Sequence, residues 1–201
     1  MSSSTFTISD KGISFEQIRH FSLSATMQIS EDALARIRNC RNYLDEKMES
    51  NDALYYGINT GFGYLQNVRI DAEQLEQLQE NLIMSHACGM GEVVPHEIVK
   101  LMLLLKVQSL SYGHSGVQVE TVQRLVDMFN HNIFPVVYTQ GSLGASGDLS
   151  PLSNLCLPLL GKGKVNYKGQ ICDASFVWKE LGWSPIKLKS KEGLALINGT
   201  Q

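Results

Sequence analysis

Apolar residues recur at helical spacing in several blocks along the chain. After Ser30, the positions Leu34, Ile37, Cys40, Leu44 and Met48 fall on one stripe, and Glu31 and Asp32 lie where a first helical turn favours negative charge. This pattern predicts a helix capped by Ser30. A second helix is predicted to open at Asp71, with Leu75, Leu78 and Leu82 on one face and Ser85 or His86 at its end. The glycines of Ala87-Cys88-Gly89-Met90-Gly91 stop it. Residues 96–112 carry Ile98, Leu101, Met102, Leu105 and Leu110 and are apolar on more than one side, which predicts a central helix. Val119, Val122, Val126 and Phe129 mark another helical face, and Ile133 to Tyr138 reads as a strand. Beyond it an apolar helical pattern runs to Gly161, with Ser150 as N-cap, Pro151 at the first helical position and Pro158 ending or kinking the helix. Residues 164–172 predict a hairpin turning at Lys168-Gly169 and packed down by Trp178, Leu181 and Trp183. At the start, Phe6, Ile8 and Ile13 fit small strands. The fold class predicted is mainly α with small β elements.

Two stretches break the helical pattern. In Tyr55-Tyr56-Gly57-Ile58-Asn59-Thr60-Gly61-Phe62-Gly63-Tyr64 the glycines forbid a helix interior, so an irregular loop carrying aromatics is expected. It lacks the third glycine of a dinucleotide fingerprint and the GK[ST] ending of a P-loop. Tyr56 is there either as a packing residue or as a proton-transfer group. The second stretch is Gly141-Ser142-Leu143-Gly144-Ala145-Ser146-Gly147-Asp148-Leu149-Ser150-Pro151. One reading is a glycine-rich turn before a helix. The other is a backbone reaction: Gly147 lacks a Cβ, so its nitrogen can approach the Ala145 carbonyl carbon in a tight turn. Closure, with loss of water from the ring and from Ser146, gives a five-membered imidazolone bearing a methylidene. That product is an electrophile, which no standard side chain is.

Composition narrows the function classes. The chain has 201 residues, 17 basic and 20 acidic, for a formal charge of −3, and this balance implies neither a nucleic-acid nor a membrane partner. The Lys187 to Lys191 run reads as a solvated face. Cys40, Cys88, Cys156 and Cys172 lie too far apart for a CxxC ligand pair, and no metal is expected. His96-Glu97 begins an HExxH pattern that Lys100 breaks, and neither Ser115 nor Ser146 sits in a complete GxSxG elbow. The polar N-terminus lacks a signal-peptide pattern, and the longest apolar run is too short to span a bilayer, which points to a cytoplasmic protein.

Tyr56-Gly57-Ile58-Asn59-Thr60-Gly61-Phe62-Gly63, Gly144-Ala145-Ser146-Gly147-Asp148-Leu149 and Glu192-Gly193-Leu194-Ala195-Leu196-Ile197-Asn198-Gly199-Thr200 together resemble, in order and spacing, the aromatic amino acid ammonia-lyase family. The resemblance implies that Ala145-Ser146-Gly147 cyclises autocatalytically to a 4-methylidene-imidazol-5-one (MIO) group, with no external cofactor. It implies that Tyr56 performs acid–base work at the substrate β-carbon and that Asn198 hydrogen-bonds the prosthetic group. Asp148 would support ring formation, and Gly63 would bring backbone near the substrate carboxylate. Ser85-His86 stands where the family selects its substrate and resembles the histidine-specific members, which release ammonia from L-histidine to give urocanate. Tyrosine or phenylalanine ammonia-lyase chemistry and 2,3-aminomutase chemistry are the alternatives within the family. A catalytically silent helical assembly fragment is the alternative outside it. The resemblance further implies a homotetramer, and a chain in which residues 1–201 form the N-terminal active-site domain, truncated at the start of a central helical bundle. Such a fragment is expected to be inactive alone.

Overall fold

The computed structural model describes residues 5–50, 53–142 and 149–199. Near the N-terminus, β1 (Thr5–Ile8) pairs in parallel with β2 (Thr26–Ile29), Phe6 opposite Met27 and Ile8 opposite Ile29, with α1 (Phe15–Arg19) as the crossover. Ile13 lies on no strand; it precedes Ser14, which caps α1 by accepting from the Gln17 amide. The long helix α2 (Glu31–Glu49) is capped as expected, Ser30 Oγ accepting from the Ala33 amide at 3.3 Å. Its buried stripe holds Ala33, Ile37, Arg41 and Leu44: Ile37 and Leu44 are buried as the apolar period predicts, Leu34, Cys40 and Met48 are only half-buried, and the period gives no sign of the arginine.

Helix α3 (Ala72–His86) follows the loop at residues 53–71 and ends where the glycines predict. β3 (Met90–Val93) leads into α4 (His96–Ser111), which occupies the middle of the molecule: Val99, Leu103, Leu104, Val107 and Leu110 are all buried. Because neighbours cover α4 on several sides, its apolar positions form no single stripe, and Lys100, Lys106, Gln108 and Ser111 are buried with them. Helix α5 (Val119–Asn130) lays Val122, Leu125, Val126 and Phe129 against it. The predicted strand at 133–138 divides into β4 (Phe134–Pro135) and β5 (Tyr138–Gln140), which join different sheets. β4 pairs with the hairpin β6 (Lys164–Tyr167) and β7 (Gln170–Asp173), while β5 pairs antiparallel with β3. The hairpin turns at Lys168 and Gly169, both at positive φ, as a two-residue loop requires.

The helix after the glycine-rich stretch, α6 (Leu149–Cys156), begins before Ser150, so Ser150 and Pro151 lie inside its first turn instead of at the cap and first position. Pro158 ends the α-helical hydrogen bonding as expected: a 3₁₀ turn over Leu157–Leu160 follows and closes on Gly161 in the left-handed conformation. α7 (Ala174–Leu181) buries Trp178, whose indole nitrogen donates to the Pro158 carbonyl at 2.7 Å. The Lys187 to Lys191 run is not simply solvated. Leu188 and Ser190 within it are buried, and Lys191 Nζ donates to the Ser115 carbonyl.

The short helix α8 (Glu192–Ile197) threads between α3 and α6. Its approach to α3 depends on Gly193, whose amide donates to Gln79 Oε1 at 2.9 Å. A Cβ at that position would lie 2.8 Å from the Gln79 backbone oxygen. Gly193→Ala is therefore expected to destabilise by about 1–3 kcal/mol through overpacking. Thermal unfolding checks this, and an unchanged midpoint would show that α8 can shift without cost.

Candidate active site

The loop carrying Tyr56 is held by its own side chains. Asn59 is buried; its Oδ1 accepts from the Tyr55 amide at 2.7 Å and its Nδ2 donates to the Ala53 carbonyl at 2.8 Å. Thr60, fully buried, accepts from the Gly57 amide at 3.3 Å and donates to the Gly61 carbonyl at 3.0 Å. Asn and Thr suit this work because short polar side chains satisfy backbone groups that an irregular loop leaves unpaired. The frame leaves Tyr56 outside: its side is 57% exposed and its ring stands edge-on to Phe62 at 5.9 Å. The loop leans on α8 at Gly57, where a Cβ would come within 2.8 Å of Leu194. Gly63, with φ of 56°, opens the 3₁₀ turn Gly63–Leu65, and a Cβ there would meet nothing within 4 Å. Packing does not require that glycine, but its backbone conformation does.

Ser85 and His86 form the last turn of α3. Ser85 Oγ donates to the Leu82 carbonyl at 3.0 Å. His86 Nδ1 lies 2.8 Å from the same carbonyl. A carbonyl only accepts, so this contact assigns the proton to Nδ1 and leaves Nε2 of the neutral ring with a lone pair. Two residues on, Cys88 Sγ lies 3.9 Å from Ser150 Oγ. Gly89 and Gly141 touch so closely that a Cβ on Gly141 would sit 3.1 Å from Gly89 Cα and 2.7 Å from Ser150 Oγ. The chain that leaves β5 at Gly141 thus returns to Ser150 beside the end of α3.

Ala145, Ser146, Gly147 and Asp148 lie outside the described residues. On either side of their stretch, Gly141 and Ser150 lie against each other. Asn198 follows α8 as its C-cap and is exposed. Its amide donates to the Leu194 carbonyl at 3.1 Å, and its own carbonyl accepts from Lys106 Nζ at 2.8 Å.

The aromatic amino acid lyase family model matches residues 13–201. The chain belongs to the aromatic amino acid lyase family. The histidine ammonia-lyase of Deinococcus radiodurans is 51% identical over 198 residues, 96% of this chain and 37% of that protein. The histidine ammonia-lyase of Staphylococcus saprophyticus is 47% identical over 176 residues, 88% of this chain and 35% of that protein. Among solved structures, histidine ammonia-lyase from Trypanosoma cruzi superposes with a TM-score of 0.87 at 40% identity, over 98% of this chain and 38% of that one. A tyrosine aminomutase mutant with bound ligand superposes with the same TM-score of 0.87 at 29% identity, over 98% of this chain and 37% of that one. This lyase-family chain therefore spans less than two fifths of the length of these relatives.

Four buried charged residues around this frame escaped the sequence reading: Arg41, Lys100, Lys106 and Glu192. Arg41 donates to the carbonyls of Gly116 at 2.7 Å and Ser190 at 2.9 Å, tying α2 to the chain before α5 and before α8. Lys100 donates to the Ala25 carbonyl at 2.9 Å and to Asn132 Oδ1 at 2.6 Å. Their signal in the sequence was a lysine set inside a continuous apolar run, at 100 and again at 106, with no polar face to take it. Among the described residues no three His, Cys, Asp or Glu side chains gather as a metal site, and no helix is long and apolar enough to cross a membrane.

Proposed function

We propose that the full-length protein is a carbon–nitrogen lyase that eliminates ammonia from L-histidine to give urocanate, and that residues 145–147 supply its MIO electrophile. The observation that carries the choice of histidine is His86 Nε2, left as a hydrogen-bond acceptor by the Nδ1 bond to Leu82, close in the chain to the contacts that gather residues 141 and 150. An imidazole N–H on the substrate is a donor that matches it; a phenyl ring offers none. When formed, the MIO group supplies an electrophilic carbon that draws electrons from the substrate, acidifies its β-proton and allows ammonia to depart. The protein's own side chains do the rest. Tyr56, presented on its braced loop, moves the proton at the β-carbon. The Asn198 side-chain NH₂ donates a fixed hydrogen bond to developing negative charge. Backbone at Gly63, free of any side chain, accommodates the substrate carboxylate, and Asp148 assists ring formation.

The identity to histidine ammonia-lyases supports this reading, and the likeness to an aminomutase extends the common frame beyond one reaction. We also read residues 1–201 as the N-terminal active-site part of a longer, cytoplasmic homotetrameric enzyme, inactive without the remainder. Exposed Tyr56, Tyr64, Leu65 and Val68 beside the site leave apolar surface for that remainder to cover.

Incubating the full-length protein with histidine, tyrosine and phenylalanine, and following each unsaturated acid, tests the reaction. Urocanate alone supports the proposal, while coumarate, cinnamate or a β-amino acid points to the alternatives. Absence of every product, with no two-water mass loss at residues 145–147, points to a silent assembly module. His86→Leu is expected to lower kcat/KM for histidine about 10- to 100-fold relative to phenylalanine, the scale of one lost polar contact in a closed site. An unchanged preference would remove His86 from the recognition role.

A further inference from the structure

We propose that Lys106, a residue of the central helix α4, is the positioning residue for Asn198, so that turnover depends on a buried ammonium that touches neither substrate nor prosthetic group. The inference rests on the reading of Asn198 as a donor at the site and adds the residue that aims it.

Lys106 is 0% exposed. A lysine taken fully out of water must find acceptors for its protons, and these acceptors define what it does. Lys106 Nζ donates to two carbonyls, Ala195 and Asn198, each at 2.8 Å. Both belong to the end of α8, where the last carbonyls of a helix have no intrahelical partner and carry partial negative charge. The ammonium therefore caps α8 from below. Burial pushes its pKa down to about 8, which still leaves it protonated at neutral pH.

The consequence falls on one residue. Asn198 leaves the helix in an extended conformation, at φ −86° and ψ 130°. Its amide is held by the Leu194 carbonyl at 3.1 Å and its carbonyl by Lys106. With both backbone groups tied, the direction in which its exposed side chain leaves the chain is set. Without Lys106, the Asn198 carbonyl would lose its buried partner and the peptide would be free to turn. The other end of α8 is fixed independently, by Glu192. Lys106 is therefore specific to the end that carries Asn198.

The test is a double-mutant cycle in the full-length protein. Lys106→Met, of similar length and no charge, is expected to lower kcat for histidine elimination about 10- to 100-fold, the scale of an angstrom-sized misplacement of a catalytic donor. KM is expected to change less than about threefold, and the two-water mass loss at residues 145–147 to persist. On an Asn198→Ala background the same Lys106→Met change is expected to cost nothing further, because there is no side chain left to aim. If Lys106→Met does not fold, Lys106→Arg, whose bulk displaces the same carbonyls, is put through the same cycle with the same expectation. Retention of kcat within about twofold in the single variant overturns the proposal. Equal losses on both backgrounds overturn it as well, since a general structural role would be additive. An Asn198→Ala variant with unimpaired kcat overturns it through Asn198 itself. A wild-type protein lacking the two-water loss fails earlier, at the proposed function, and is recognised as such.

Discussion

In the full-length protein, Ser146→Ala is expected to lower histidine elimination by about a thousandfold or more, the scale seen when a covalent catalytic group is lost. The reason is compositional. The methylidene carbon of the proposed electrophile is the Ser146 Cβ, and it becomes unsaturated only by losing the serine hydroxyl as water. Alanine has no leaving group there. Ring closure between the Gly147 nitrogen and the Ala145 carbonyl carbon remains chemically possible, so intact mass should show one water lost at most, against two in the unsubstituted protein. Mass and urocanate release are measured on the same sample. Full activity without the second water loss would end the electrophile reading, whatever the sequence likeness.

Glu192→Leu is expected to produce the largest loss of stability, about 3–5 kcal/mol, because four donors converge on that buried carboxylate. Oε1 accepts from the Gln118 amide at 2.8 Å and from Thr121 Oγ1 at 2.7 Å. Oε2 accepts from Gln118 Nε2 at 2.6 Å and from the Lys189 amide at 2.7 Å. Burial pushes the Glu192 pKa up while these donors pull it back. Leucine leaves the Gln118 and Lys189 amides and the Thr121 hydroxyl without this acceptor at a position that is 0% exposed, while Gln118 Nε2 keeps the Lys187 carbonyl at 2.9 Å. For a chain of this size the loss corresponds to a fall of roughly 6–20 °C in Tm. Glu192→Gln is not a harmless replacement, since either orientation of the amide turns an NH₂ toward at least one backbone N–H. It is expected to cost about half as much as leucine. A Tm within about 2 °C of the unsubstituted protein for Glu192→Leu would mean that water reaches the donors.

Glu192 and Lys106 also show why parts of this site could be read from the sequence and others could not. Tyr56 and the Ala145-Ser146-Gly147 triplet stand in glycine-rich stretches that break the helical pattern, whereas Asn198 stands out only through the resemblance of its stretch to the lyase family. Helices α2, α3 and α5 follow from the 3.6-residue period of their apolar positions, which reports a buried face, and α4 from a run apolar on more than one side. Ser30 as a cap and the Lys168-Gly169 turn follow from local hydrogen bonding and φ requirements. The strand at 133–138 was recognised as extended, but its division between two sheets was not, because pairing partners lie far off in the chain.

The apolar run around Lys106 hints at burial but names no partner, and Glu192 reads locally as a helix-opening acid. Their roles depend on residues 89 to 92 positions away for Lys106 and 71 to 74 positions away on the α5 side for Glu192. By itself the sequence determined helices α2 to α6 and the irregular loop that carries Tyr56, since each is written in contiguous residues. Only the tertiary structure decided that α8 is fixed by a buried acid at one end and a buried ammonium at the other. It alone brought the end of α3 against Gly141 and Ser150. Desolvated charges reveal their purpose only through the partners that folding brings to them.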